Sequence, residues 1–326
     1  MVLKADPSIG TGHLMRINGI LPNLKALNYH LYLVTDSLSP ELENLCTLYE
    51  KIIRVPTLDE IPNALYNLQV EEVLFDHYYI DAKIESAVRD FAKVIIIDDL
   101  ANRPHNCDLL FDQGLLRKAS DYQALVNPDA KIFVGPSFSL TKKEFTKIKK
   151  TPNFGKSRIL VNFGGADPLG ALKISLESLL KINAQKYFDF TVLAGIANPL
   201  KDEIKKLTLN QKGFTYLTHS SDVPALFSSI DLALGAAGGM TFERIAASIP
   251  SICVSVADNQ ELGPLVIEQL GLGLALPFSD LKKPQVLLDK LFELQEKAPL
   301  IKAKCPQVID GNGLLRIANK IFELLN

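Results

Sequence analysis

Near the start of the chain, Gly10, Thr11, Gly12 and His13 set two glycines and a histidine where an apolar run gives way to a helical pattern. Residues of those types, in that order, can bring the backbone close to a phosphate and place a proton acceptor beside it. The apolar run at residues 2–5 is a strand candidate, and residues 14–27 carry apolar side chains at helical spacing. A neutral imidazole at such a junction can take a proton from water near neutral pH. The motif has neither the lysine of a P-loop nor the third glycine of a dinucleotide fingerprint. On its own it also reads as a tight turn with a solvated histidine.

A second loop, Gly235, Ala236, Ala237, Gly238, Gly239, Met240 and Thr241, precedes Phe242, Glu243 and Arg244. Its backbone N–H groups suit a diphosphate, Thr241 adds a hydroxyl donor, and Glu243 can accept both hydroxyls of a ribose. A capped helix, with Glu243 complementing the dipole, explains the same residues. Asn162, Phe163, Gly164, Gly165, Ala166, Asp167 and Pro168 form a sharp strand-to-helix turn. There Asp167 reads as a cap, and Gly164 and Gly165 as a floor for a ligand. Asn259 and Gln260 precede another helix; capping accounts for the first but leaves the second without a role, and both amides suit sugar hydroxyls or N-acyl groups. Asp98 and Asp99 are neighbours in an extended segment and face opposite sides, so they do not share a proton and one reads as a turn or cap residue. His77, His105 and His219 have no partner at helical i, i+4 spacing and read as structural or solvated.

The elements that must position these residues alternate along the chain. Strand-like runs at residues 30–35, 51–55, 72–76, 94–98 and 131–135 are separated by helical patterns at 40–49, 58–68 and 82–92. This predicts a largely parallel sheet covered on both faces, forming one domain over residues 1–140. Residues 141–156 break the pattern with Lys142, Lys143, Lys147, Lys149, Lys150 and Lys156 beside Pro152 and Gly155, which reads as a basic surface helix followed by a linker. The alternation then restarts, with strand candidates at 158–163, 188–194, 214–218, 230–234, 251–256 and 272–276. Helices are expected at 170–182, 240–247, 261–270, 284–297 and 313–325. The expectation is an α/β protein of two Rossmann-like domains, the second over residues 157–326, facing a central cleft with ligands at the strands' carboxyl ends.

The bulk composition narrows the function. A chain of 326 residues can bury two cores, and 47% hydrophobic with 22% charged residues fits a soluble globular protein. A net charge of -2 supplies no field for nucleic acid or an anionic membrane, so phosphate recognition must be local. Cys46, Cys107, Cys253 and Cys305 are scattered without metal-ligand spacing and read as free thiols of a reducing cytoplasm. The N-terminus lacks the pattern of a secretory leader, and no apolar stretch reaches the roughly 18 residues of a membrane span.

Taken together, the motifs resemble a family. The residues are Ala5 and Asp6; Gly10, Thr11, Gly12, His13, Leu14, Met15 and Arg16; Asp76, His77 and Tyr78; and Ile97, Asp98, Asp99, Leu100, Ala101, Asn102, Arg103, Pro104 and His105. They continue with the Asn162 turn, the loop from Gly238 through Arg244, and Ala257, Asp258, Asn259 and Gln260. In this order they resemble the UDP-sugar hydrolases of the pseudaminic acid pathway, which release UDP from UDP-2,4-diacetamido-2,4,6-trideoxy-beta-L-altropyranose. That family is similar to GT-B glycosyltransferases of the peptidoglycan N-acetylglucosaminyltransferase type. The resemblance implies a GT-B-like fold and inverting hydrolysis at the anomeric carbon with no metal or other cofactor. It implies His13 as general base and Tyr78 beside it in the sugar pocket. It places Gly10, Gly12, Arg16, Asn162, Gly164, Gly165, Gly238, Gly239, Met240, Thr241, Glu243, Asn259 and Gln260 at the substrate, with Glu243 on the ribose. A GT-B transferase using a UDP-sugar donor and a non-catalytic nucleotide-sugar binding protein are the alternatives; neither nucleic acid nor an integral membrane contact is expected.

Overall fold

The computed structural model describes residues 1–6, 12–257 and 262–325. The chain divides into two compact units, residues 1–142 with 312–326, and residues 143–311. In the first unit, seven parallel strands form one sheet: β1 (Val2–Leu3), β2 (Tyr32–Thr35), β3 (Lys51–Arg54), β4 (Glu72–Asp76), β5 (Lys93–Ile97), β6 (Leu109–Asp112) and β7 (Lys131–Val134). The second holds six: β8 (Arg158–Asn162), β9 (Asp189–Leu193), β10 (Phe214–Leu217), β11 (Leu232–Ala236), β12 (Ser251–Val254) and β13 (Leu274–Ala275). Central strands such as β5 and β6 are nearly continuous apolar runs, as burial on both faces demands.

Helices α1 (Gly12–Ala26), α2 (Ile61–Asn67) and α3 (Ala82–Arg89) belong to the first unit. The second carries α4 (Ala171–Lys181), α5 (Lys201–Thr208), α6 (Val223–Ser228), α7 (Met240–Ala246), α8 (Gly263–Gln269) and α9 (Pro284–Lys304). The last helix, α10 (Gly313–Leu325), corrects the expected domain boundary: it returns to the first unit instead of completing the second. Its Leu314, Ile317, Ala318 and Ile321 share a core with Ile17, Ile20, Leu21 and Leu24 of α1. Gly313 lies so close to Ser139 that a Cβ there would meet its carbonyl oxygen at 2.1 Å. Arg316 donates to the Ser137 carbonyl at 2.9 Å. A helical period reveals an apolar face but not which sheet covers it, so sequence order misassigned the segment. The expected basic helix and linker at 141–156 is also corrected: only Lys143–Lys147 winds, as a 3-10 turn that buries Phe145, and Lys150 donates to the carbonyls of Phe227 and Ile230 at 2.9 and 3.1 Å.

The strand order β3-β2-β1-β4-β5-β6-β7 reverses between β1 and β4, and β10-β9-β8-β11-β12-β13 reverses between β8 and β11. At such a reversal the connecting loops leave to opposite sides of the sheet and open a crevice at the carboxyl ends. In the first unit that point holds the start of α1, after β1, and the end of β4. In the second it holds the loops that follow β8 and β11. Gly12, His13, Arg16 and Tyr78 of the first unit, and Asn162, Gly164, Gly165 and the residues from Gly238 to Glu243 of the second, therefore sit at the switch point of their own sheet.

The role of α10 is testable. Ile317→Ala deletes a wholly buried side chain between α10 and α1 and is expected to lower unfolding free energy by about 2–4 kcal/mol. Denaturant unfolding measures this; a loss below about 0.5 kcal/mol, the range of surface substitutions, would contradict the packing.

Candidate functional site

The first unit builds its site around one carboxylate. Asp76 ends β4, pairs in register with Leu3 of β1, and is fully buried. His13, in the first turn of α1, brings Nδ1 to 2.6 Å from Asp76 Oδ1. Arg16, one turn later on the same helix face, donates from Nε to Asp76 Oδ2 at 2.6 Å and from an Nη to Oδ1. Its other Nη donates to Asp99 Oδ2 at 2.7 Å. The Tyr78 hydroxyl donates to the same Asp99 oxygen at 3.2 Å, and its ring meets the His13 ring edge-on, with centroids 4.5 Å apart.

Burial alone would raise the pKa of Asp76. The charges and hydrogen bonds of Arg16 and His13 overcome it and hold the carboxyl well below the usual carboxylate range. An ionised carboxylate only accepts, so the 2.6 Å contact requires His13 Nδ1 to carry a proton. Arg16 also lies 3.3 Å from Nδ1, too long to displace that contact. In the neutral imidazole the lone pair then falls on Nε2. The arrangement can orient a general base and stabilise the imidazolium formed when it takes a proton.

The sequence reading expected His13 and Tyr78 together, and they are adjacent. It placed Arg16 on the substrate, whereas the guanidinium faces Asp76 and Asp99. Asp76 and Asp99 were not singled out as site residues. The available signal was an aspartate closing a buried apolar strand just before His77 and Tyr78. Asp98 and Asp99 do face different partners: Asp98 accepts from the Leu100 and Ala101 N–H groups in a turn, and from Arg103 at 2.8 Å. The Tyr122 hydroxyl reaches both Asp98 at 2.8 Å and Asp112 at 2.7 Å, and Arg117 ties Asp112 to the Asp99 carbonyl, which it meets at 3.0 Å. His77 is buried against Asp36 and His105 against Glu85, the structural roles expected.

In the second unit, the Asn162 amide donates to the Leu193 carbonyl at 2.8 Å, and its oxygen accepts from Gly164 N–H at 3.2 Å. The side chain expected at the substrate thus shapes the turn instead. Asp167 caps α4, accepting from the N–H groups of Ala171 and Leu172 at 2.9 Å each, and burial pushes its carboxyl up to about 6 against those bonds. Gly164 has φ +92°, and Gly165 is so near Gly195 that a Cβ on the latter would lie 2.3 Å from its carbonyl oxygen. The Thr241 hydroxyl, expected as a ligand donor, donates to the Ala236 carbonyl at 3.1 Å and accepts from Arg244 at 2.9 Å. Gly238, Met240 and Glu243 are half-buried around the start of α7, and Gly239 is exposed. A Cβ on Gly12 or Gly239 would meet no described atom within 4 Å, and neither has a positive φ, so both leave backbone open to a ligand. Gly10, Asn259 and Gln260 lie outside the described residues. Among the described residues no cluster of three or more His, Cys, Asp or Glu side chains forms a metal site, and no helix is long and apolar enough to cross a membrane.

Two all-parallel α/β units with loops of this kind at each switch point have the GT-B fold. Among solved structures, MurG of Acinetobacter baumannii matches with a TM-score of 0.71 at 14% identity over 99% of both chains. The S. aureus MnaA-UDP co-structure matches at 0.69 and 12% identity, over 100% of this chain and 96% of that one. In sequence, the chain is similar to the UDP-2,4-diacetamido-2,4,6-trideoxy-beta-L-altropyranose hydrolase of Campylobacter jejuni subsp. jejuni serotype O:2, with 22% identity over 265 residues, covering 80% of this chain and 93% of the relative. No family model matches.

The buried network carries a pH signature. Because Asp76 has a lower pKa folded than unfolded, its stabilisation is complete above the ordinary value of about 4 and is lost as pH falls through the folded value. Asp76→Asn should cost about 3 kcal/mol at pH 7, and the deficit should shrink below about pH 4. Urea unfolding from pH 3 to 7 measures the difference; a deficit that does not vary with pH would contradict the assignment.

Proposed function

We propose that this protein hydrolyses a UDP-linked sugar at the anomeric carbon, releasing UDP and free sugar with inversion. The observation that carries this is the His13 and Asp76 pair at the switch point of the first sheet, within a chain similar to a UDP-sugar hydrolase. Water attacks the anomeric carbon as the bond to the phosphate oxygen breaks; the electron pair leaves with UDP and the water proton passes to His13 Nε2. Asp76 holds the imidazole in that tautomer, and Arg16 keeps Asp76 ionised. UDP is a good leaving group, so the paired carboxylates of ordinary glycosidases are not needed.

In this reaction Gly12, Gly164, Gly165, Gly238, Gly239 and Met240 line the substrate through their backbone, Glu243 holds the ribose, and Asn259 and Gln260 meet the sugar together with Gly10. Tyr78 packs against the base and shapes the pocket. The substrate class proposed is a diacetamido-trideoxy hexose, the sugar in the named relative's substrate, with the product proposed to supply a nonulosonic acid pathway in the cytoplasm. The reaction is proposed to need no metal.

The purified protein, incubated with a panel of UDP-sugars with and without chelator and with no acceptor, should release UDP from the diacetamido sugar. His13→Ala should lower turnover by about 100-fold or more while the protein stays folded. UDP release that appears only when an acceptor is added would instead establish a transferase, and full activity in His13→Ala would remove the proposed base.

A further inference from the structure

Arg244 is among the largest fully buried side chains, 1% exposed, yet the proposed reaction gives it no task. It sits on α7 one turn beyond Thr241, at the carboxyl end of β11. One Nη donates to the Ala236 carbonyl at 2.8 Å and to Thr241 Oγ1 at 2.9 Å, and lies 3.8 Å from Cys253 Sγ. The other Nη fills the space beside Gly235, where a Cβ would come within 2.6 Å of it. Its Nε is buried without a partner.

Among the described residues no carboxylate pairs with Arg244. Arg16, Arg54, Arg89, Arg103, Arg117 and Arg158 each have one. Burial pushes the Cys253 thiol up, so the neighbouring sulfur stays neutral and brings no negative charge. A buried cation that faces, among the described residues, a carbonyl, a hydroxyl and a thiol is poorly compensated by them, and a neutral donor could hold the same carbonyl. The loop it braces is the one that presents Gly239, with open space where a side chain would stand.

We propose that Arg244 is a positioning residue for phosphate: a fixed positive charge behind the β11–α7 loop whose counter-charge arrives with the diphosphate of the ligand, which it stabilises through the loop without touching it. The inference rests on the reading that this unit receives the UDP portion of the substrate. It predicts that Arg244 matters for phosphate and hardly at all for the nucleoside, and that its charge, not the bracing of the loop alone, carries the effect.

Titration calorimetry of the full chain with UDP and with uridine tests this. Relative to wild type, Arg244→Gln should weaken UDP binding by at least about tenfold and change uridine binding by less than about threefold. Arg244→Lys keeps the charge while losing the forked hydrogen bonds, and should hold the UDP-to-uridine affinity ratio within about threefold of wild type. Equal losses for UDP and uridine in Arg244→Gln, or unchanged UDP affinity, would overturn the inference while leaving the nucleotide reading intact. Should Arg244→Gln not fold, the lysine variant decides, since a collapsed ratio there refutes the charge role and a retained one supports it. Wild-type protein that fails to bind UDP would overturn the nucleotide reading itself and the inference with it.

Discussion

The site in the first unit depends on an ionised carboxylate kept out of water. Asp76 is fully buried, and such a charge persists only when charges and hydrogen bonds replace its hydration. Arg16 and His13 supply that replacement from one face of α1, three residues apart. The start of α1 and the end of β4 are thereby locked to one another, and the tautomer of His13 follows from the charge state of Asp76. An apolar residue at position 76 would leave His13 without its carboxylate and Arg16 with Asp99 alone.

Around this pair the structure spends further charges on geometry. Asp99 holds Arg16 from the far side and receives the Tyr78 hydroxyl, while Arg117 holds the Asp99 backbone. Asp98, Arg103, Tyr122 and Asp112 brace the ends of β5 and β6. The second unit works differently. Its loops after β8 and β11 rely on close backbone approaches at Gly195 and Gly235 and on the inward side chains of Asn162 and Thr241, and they leave the backbone of Gly165 and Gly239 exposed. One unit thus offers a side chain poised for proton transfer, and the other a backbone surface suited to a polar ligand.

Much of this was legible in the sequence. The alternation of apolar runs and helical periods revealed the parallel α/β architecture, and the residues at strand ends pointed to both loops. Helical period could not say which sheet covers α10, because the apolar stripe of Leu314, Ile317 and Ile321 would fit either core. Strand β6 was missed although strands as short were read elsewhere, because no helix separates it from β5 and the alternation gave no cue there. At the site, motif position singled out His13 and the family resemblance Tyr78, but neither could separate ligand-facing side chains from loop-building ones. Arg16, Asn162 and Thr241 look like ligand groups in sequence, and only three-dimensional partners show where their hydrogen bonds go. Asp76 closes a buried apolar strand, a signal that marks the position but not the role, which comes from a residue 63 positions earlier.

The central claim is that Asp76 holds the proton on His13 Nδ1 and leaves Nε2 as the base. Nitrogen-15 NMR of protein labelled at histidine reads this directly, with His13→Gln used to assign the resonances. In the neutral imidazole, the account predicts a protonated Nδ1 and a bare Nε2, with the preference weakened in Asp76→Asn. A neutral His13 that carries its proton on Nε2 in the wild-type protein would contradict it.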